Sequence, residues 1–178
     1  MPDRAAENWD VLEQVDVLLL DVDGVLTDGS ITYGDDGGEI KTFSVKDGLG
    51  IRMLQLAGIV TGIVTGRSSK ALAKRCENLG ITHLWDGVKN KSLLIEQISR
   101  DMKVPPERMA FVGDDIPDMG IMSKVGVGVA VADAHPDVIN AARLVTTKPG
   151  GRGAVREVCE GILKAKGLWD ETQKQVAV

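Results

Sequence analysis

Residues 17–29 read Val17-Leu18-Leu19-Leu20-Asp21-Val22-Asp23-Gly24-Val25-Leu26-Thr27-Asp28-Gly29. The four apolar residues are too short a run for a helix and predict a buried parallel strand. Two carboxylates at i, i+2 then stand where that strand ends, with Gly24 behind them. The carboxyl end of a central strand is where open α/β sheets bind ligands. If the backbone turns at Val22, one carboxylate can approach a reaction centre while the other flanks it. Taken alone, the stretch also reads as a strand entering an ordinary acidic turn, because Asp and Gly favour turns. The rest of the chain decides between the two.

Outward from this stretch, strands alternate with helices. Ser30–Tyr33 and Glu39–Phe43 flank Gly34-Asp35-Asp36-Gly37-Gly38, which predicts a β-hairpin with solvated acidic turn residues, Glu39 among them. Neither acidic cluster has the glycine and distal Glu of an EF-hand. Asp47 is expected to cap a helix carrying Leu49, Met53, Leu56 and Ala57 on one face. The apolar run 59–64 leads into Thr65-Gly66-Arg67, a helix from about Ser69 to Leu79 follows, and a short strand is expected near 82–84. Beyond Asp86-Gly87, Leu94, Ile95, Ile98 and Met102 mark another helix, and Pro105-Pro106 precedes a strand over 109–112. That strand delivers Gly113-Asp114-Asp115-Ile116-Pro117-Asp118. A helix over 119–125, a strand over 127–131, a helix opened by Pro136, a strand at 144–145 and a helix from about 153 to 166 complete the alternation. Such alternation means right-handed βαβ units and a parallel sheet. One domain is expected over residues 15–166, with its hairpin at about 30–43, an N-terminal arm at 1–14 and a polar tail at 167–178.

The chain has 178 residues and a net charge of −5, with no basic block and only three Trp, one Tyr and two Phe. These features argue against a nucleic-acid partner. Its mean hydropathy of zero fits a soluble protein. No apolar run approaches the ~18 residues of a membrane span, and the acidic N-terminus is unlike a signal peptide. Cys76 and Cys159 have no metal spacing and read as reduced helix residues, so a cytoplasmic location is expected. His83 reads as a structural strand residue and His135 as a helix-start residue.

Right-handed crossovers bring four groups to one sheet edge: Asp21/Asp23, Thr65-Gly66-Arg67, Lys91, and Asp114/Asp115/Asp118. In this order the set resembles the motifs of the haloacid-dehalogenase-like phosphatase superfamily: DxDG, T, K and GDDxxD. The resemblance implies a nucleophile at Asp21 that forms an aspartyl-phosphate, and an acid–base at Asp23. It implies Mg²⁺ held by the Asp21 carboxylate, the Asp23 backbone carbonyl and Asp114, a hard-oxygen set that suits this ion. Asp115 and Asp118 then orient the ion's surroundings. Thr65 and the Gly66 N–H hold phosphoryl oxygens, and Lys91 neutralises their charge.

A narrower resemblance runs over about residues 15–160. Asp23-Gly-Val-Leu-Thr-Asp-Gly29, Val45-Lys-Asp-Gly-Leu-Gly-Ile51, Thr65-Gly-Arg67, Asn90-Lys91, Val129–Pro136 and Gly150-Gly-Arg-Gly-Ala-Val-Arg-Glu157 are similar to the 3-deoxy-D-manno-octulosonate 8-phosphate phosphatases. That family implies an α/β fold: a three-layer, Rossmann-like parallel sheet with helices on both faces, a protruding hairpin and no cap domain. It also implies a role in lipopolysaccharide sugar synthesis and a homotetramer built through the hairpins, with sites closed by neighbouring chains. Substrate contacts would come from Asp23, Ser44, Val45, Lys46, Asp47, Gly48, Arg52, Gly66, Arg67, Arg75 and Lys91, and the stretch around Arg152 would reach an adjacent site. Arg suits the sugar acid's carboxylate because it binds bidentately. Lys46 departs from the Arg expected in relatives. Two rival readings are a phosphatase of nine-carbon ulosonate 9-phosphates, and a phospho-Asp signalling receiver. Receivers carry their acceptor Asp after the third strand and lack the second carboxylate. The Gly-Gly-Arg-Gly stretch favours the eight-carbon substrate.

Overall fold

A computed structural model describes residues 8–177. The expected arm at 1–14 therefore lies partly outside the described residues. Its visible part is a 3-10 turn, Trp9–Gln14, that buries Leu12 against the last long helix.

The chain then forms β1 (Val17–Leu20), β2 (Thr32–Tyr33), β3 (Glu39–Ile40), α1 (Val45–Leu56), β4 (Val60–Val64), α2 (Lys70–Leu79), β5 (His83–Trp85) and α3 (Lys91–Met102). It continues through β6 (Met109–Gly113), α4 (Met119–Met122), β7 (Val127–Ala130), α5 (Pro136–Ala141), β8 (Leu144–Val145), α6 (Ala154–Ala165) and α7 (Trp169–Val176).

Six strands make one parallel sheet in the order β5-β4-β1-β6-β7-β8. All four residues of β1 are buried, because the strand has a neighbour on each side and helices over both faces. Leu20 lies level with Ile63 of β4 and Val112 of β6. The chain runs outward from β1 to β4 and β5, then returns to the other side at β6. That reversal opens a crevice at the carboxyl ends of the strands.

On one face α6 packs along α1, with α7 and the 3-10 turn beside it; on the other α3 packs on α4. Leu18, Leu19, Ile63, Phe111, Val129 and Ile162 are among the fully buried side chains. Each such burial contributes about 1.5–3 kcal/mol. The antiparallel hairpin β2–β3 pairs Thr32 with Ile40 and Tyr33 with Glu39, closed by Gly34 N–H donating to the Gly38 carbonyl at 2.8 Å.

The structure corrects two helix expectations, the cap of α1 and the end of α4. The cap of α1 is Ser44, whose Oγ accepts from Asp47 N–H, and not Asp47. Asp47 is 1% exposed, and its carboxylate accepts from Gly153 N–H at 3.2 Å and Arg156 N–H at 2.8 Å, at the start of α6. Within the polar stretch after residue 166 lies α7, where Trp169 stacks beneath the Arg156 and Lys164 cations and Thr172 is buried. The helix expected over 119–125 stops at Met122, where Ser123 is the cap and Lys124 N–H donates to the Ile121 carbonyl at 3.0 Å in a tighter turn.

Candidate active site

Asp21 continues the ladder of β1, donating its N–H to the Val112 carbonyl at 3.1 Å. The backbone then turns sharply: the Val22 carbonyl accepts from the N–H groups of Val25, Leu26 and Thr27. Gly24 makes the turn possible. It sits at φ +87°, and a Cβ there would come within 2.0 Å of Asp114 Oδ2. The loop after β1 and the loop after β6 therefore touch backbone to side chain, with no room for a methyl group. Asp21 and Asp23 are thereby split, as a turn at Val22 requires.

Thr65 follows β4 and is 2% exposed, with its N–H donating to the Trp85 carbonyl. Asn90 caps α3 through Ser92 N–H, which places Lys91 in the first turn, its Nζ over the Phe111 ring of β6. Lys91 Nζ lies 2.8 Å from Asp21 Oδ1 and 2.6 Å from Asp118 Oδ1. Asp118 Oδ2 accepts from Asp114 N–H at 3.0 Å. Asp115 is the cap of the 3-10 turn. These groups border a cleft of ≈ 520 Å³ at the sheet edge, lined by Asp21, Asp23, Thr65, Arg67, Lys91 and Asp114 among others.

The electrostatics are those of crowded anions. Burial, then the Asp118 charge, pushes the Asp21 carboxyl up to about 6, although Lys91 opposes the shift. Burial, then the charges of Asp21, Asp118 and Asp115, pushes Asp114 up to about 8. Burial alone would lower the Lys91 ammonium, but the Asp21 and Asp118 charges outweigh it and hold that pKa above its ordinary value.

One carboxylate oxygen each from Asp21, Asp114 and Asp118 lie within 4.8 Å of one another. Asp21 Oδ1 is buried and, despite the nearby ammonium, makes no hydrogen bond of good geometry. Asp118 is already committed on both oxygens, to Lys91 and to Asp114 N–H. Asp21 and Asp114 are therefore left to face a hard divalent cation, which fits Mg²⁺ and its preference for oxygen ligands.

Other expected residues lie elsewhere. Ser44, Val45, Lys46, Asp47, Gly48, Arg52 and Arg75 do not line this cleft within the one chain. Arg75 donates to the Ser44 carbonyl at 2.8 Å, lies over the Phe43 ring and packs against Gly48. Arg52 Nη1 reaches the Asn78 carbonyl at 3.5 Å. Val45 and Lys46 are exposed. Arg152 pairs with Asp28 of its own chain at 3.1 Å. His135 caps α5, its Nδ1 accepting from Asp137 N–H. His83 stacks on Trp85, and Cys76 and Cys159 are buried free thiols.

Two residues at the site were not anticipated. Glu39, expected in solvent, is ion-paired with both Lys41 and Arg67, and these two cations hold its carboxyl below the usual range. Lys41 also pairs with Asp23 Oδ1, and its side chain is 2% exposed. A lone lysine at a strand end carries no sequence signal for such a contact.

Residues 86–157 match the family model described as haloacid dehalogenase-like hydrolase. The 3-deoxy-D-manno-octulosonate 8-phosphate phosphatase KdsC of Escherichia coli K12 is 49% identical over 163 residues, covering 92% of this chain and 87% of that protein. The crystal structure of the Yersinia pestis 3-deoxy-D-manno-octulosonate 8-phosphate phosphatase superposes with a TM-score of 0.90 at 43% identity, over 93% of this chain and 90% of that one. The Moraxella catarrhalis phosphatase of the same name, solved with magnesium, phosphate and KDO, gives a TM-score of 0.91 at 36% identity, over 94% and 97% of the two chains. With the carboxylate cluster, the lysine and the hairpin all in place, the chain belongs to the 3-deoxy-D-manno-octulosonate 8-phosphate phosphatase family of haloacid dehalogenase-like hydrolases.

Proposed function

We propose that this protein is a magnesium-dependent phosphatase that hydrolyses 3-deoxy-D-manno-octulosonate 8-phosphate to the free sugar acid and phosphate. The observation that carries this reading is Asp21 at the end of β1, held between the Lys91 ammonium and the Asp114 carboxylate, in a chain half identical to the Escherichia coli phosphatase.

A bond forms between an Asp21 carboxylate oxygen and phosphorus as the bond from phosphorus to the sugar C8 oxygen breaks. Asp23 gives its proton to that departing oxygen. A water then loses a proton to the Asp23 carboxylate and attacks phosphorus, and the Asp21–phosphorus bond breaks, which restores the Asp21 carboxylate and the protonated Asp23. Thr65 Oγ and Gly66 N–H hold phosphoryl oxygens, and Lys91 offsets the charge spread over them. Bound between the Asp21 and Asp114 carboxylates and the Asp23 carbonyl, Mg²⁺ offsets the repulsion between an anionic nucleophile and an anionic phosphate.

The assembled enzyme is a cytoplasmic homotetramer joined through the hairpins. Supporting this, Tyr33 and Ile40 on the hairpin and Val45 and Leu49 on α1 are exposed apolar residues, the kind of surface that marks an interaction site. Ser44–Gly48, Arg52 and Arg75 grip substrate in that assembly. The test is phosphate release from a panel of eight- and nine-carbon ulosonate phosphates, with Mg²⁺ and with chelator. Magnesium-dependent turnover led by the eight-carbon acid is expected. Equal or faster turnover of the nine-carbon acid overturns the substrate assignment, and wild-type rates in a folded Asp21→Asn variant overturn the mechanism.

A further inference from the structure

We infer that Lys41 is a positioning residue for Asp23, so that the hairpin is part of the catalytic apparatus; this rests on the acid–base reading of Asp23 above. Lys41 pairs with Asp23 Oδ1 across 18 positions of sequence. Its second partner is Glu39 Oε1 at 2.8 Å. Asp23 Oδ2 lies 3.7 Å from Arg67 Nε, and Arg67 is in turn held by Glu39 Oε2. Glu39 thus ties together the two cations that flank Asp23.

A buried lysine is rare without partners, because desolvating its ammonium and freezing its long stem both cost free energy. The side chain of Lys41 is 2% exposed, against 44% for Arg67. Lys41 and Glu39 do not line the cleft, whereas Asp23 and Arg67 do. Arg67 is therefore open to a ligand, while Lys41 acts on the reaction only through Asp23. An acid–base group must lie within about 2.6–3.2 Å of the oxygen it serves. A misplacement of about 1 Å costs on the order of 10²-fold in rate. Asp23 sits on a turn beyond the end of β1, so its backbone alone leaves its side chain free to rotate, and the ammonium from the hairpin fixes it.

The test compares leaving groups in the first turnover, with wild type, Lys41→Met, Lys41→Arg, Asp23→Asn and the double variant. An alkyl phosphate needs a proton on its departing oxygen, while p-nitrophenyl phosphate releases a stable anion unaided. In Lys41→Met, release of the alkyl alcohol should fall about 10–100-fold with KM within about threefold, and the first-turnover release of p-nitrophenolate should change less than about threefold. Lys41→Arg should recover most of the loss. Added to Asp23→Asn, Lys41→Met should cost less than about twofold more, because the two act as one unit.

Equal losses on both leaving groups, a loss confined to KM, or multiplying losses in the double variant each overturn the inference. Retained p-nitrophenolate release certifies that the variant is folded. Any alkyl phosphate that the enzyme accepts serves, so the outcome does not hang on the eight-carbon assignment. If Asp23→Asn itself leaves alkyl-phosphate turnover intact, the acid–base reading falls and this inference with it. If Asp23→Asn is slow and Lys41→Met is not, only the role of Lys41 falls.

Discussion

Replacing Lys91 by Met removes a charge while roughly keeping the volume, and its consequences extend beyond rate. The ammonium lies 2.8 and 2.6 Å from two carboxylates, and the residue is 6% exposed. Breaking a buried pair by removing one partner costs about 3–5 kcal/mol. In a domain of this size each kcal/mol moves Tm by about 2–4 °C, so metal-free Lys91→Met should melt about 6–20 °C below wild type at pH 8. Proton uptake is the escape route. Asp21 and Asp114 are already raised from 3.8 to about 6 and about 8, and loss of Lys91 raises both further. A carboxyl raised on folding contributes stability that is fully present below its unfolded pKa and lost as pH rises through the folded one. The window from these two groups therefore runs from about pH 4 to 8, and stability falls as pH rises through it, more steeply in the variant. Calorimetry in chelator at pH 5 and pH 8 should show the deficit shrinking at the lower pH. A deficit that is equal at both, or larger at pH 5, would refute the account of Lys91 as the counter-charge. Turnover should fall by about 10²-fold or more, as when an oxyanion-stabilising donor is removed.

Further tests address the neighbouring features. Gly24→Ala places a Cβ 2.0 Å from Asp114 Oδ2 at a φ of +87°, so Mg²⁺ affinity by calorimetric titration should drop at least about tenfold, with about 1–2 kcal/mol lost from stability. Mg²⁺ at a hundredfold excess over its Kd should stabilise wild type by about 2.7 kcal/mol. That gain should be larger at pH 8 than at pH 5.5, where the raised carboxyls hold protons against the metal; a larger gain at pH 5.5 would contradict the assigned ligands. Asp47→Ala strips two N–H groups at the start of α6 of their acceptor and should cost about 2–3 kcal/mol in urea unfolding, with Asp47→Asn milder. An unchanged urea midpoint would refute Asp47 as the acceptor that steadies the start of α6.

The sheet was legible because its strands are short apolar runs ending in Asp21, Thr65 and Asp114, and residue pattern and chain order place these on one edge. What escaped depends on long-range contact. Ser44 and Asp47 both have capping side chains, and only packing against α6 shows that Asp47 serves the other helix. The apolar residues of α7 are too sparse for a periodic signal, and its place is set by Trp169 under two cations of α6. Glu39 reads as a solvated turn residue, and Lys41 carries no signal, because nothing local says that the hairpin folds back onto Asp23. The contacts expected from Ser44–Gly48, Arg52 and Arg75 rest on the family resemblance alone, and these residues do not line the cleft of the single chain.

The position of β1 between β4 and β6 also governs when the protein becomes an enzyme. On the ribosome Asp21 emerges well before its strand has either neighbour, which come only when residues 60–64 and then 109–113 have been made. Asp118, the carboxylate that steadies Lys91, comes later still. Chains that stop short of these segments thus hold Asp21 without the lysine and carboxylates that pack around it, so the cleft takes shape only once those segments have been synthesised and have folded together.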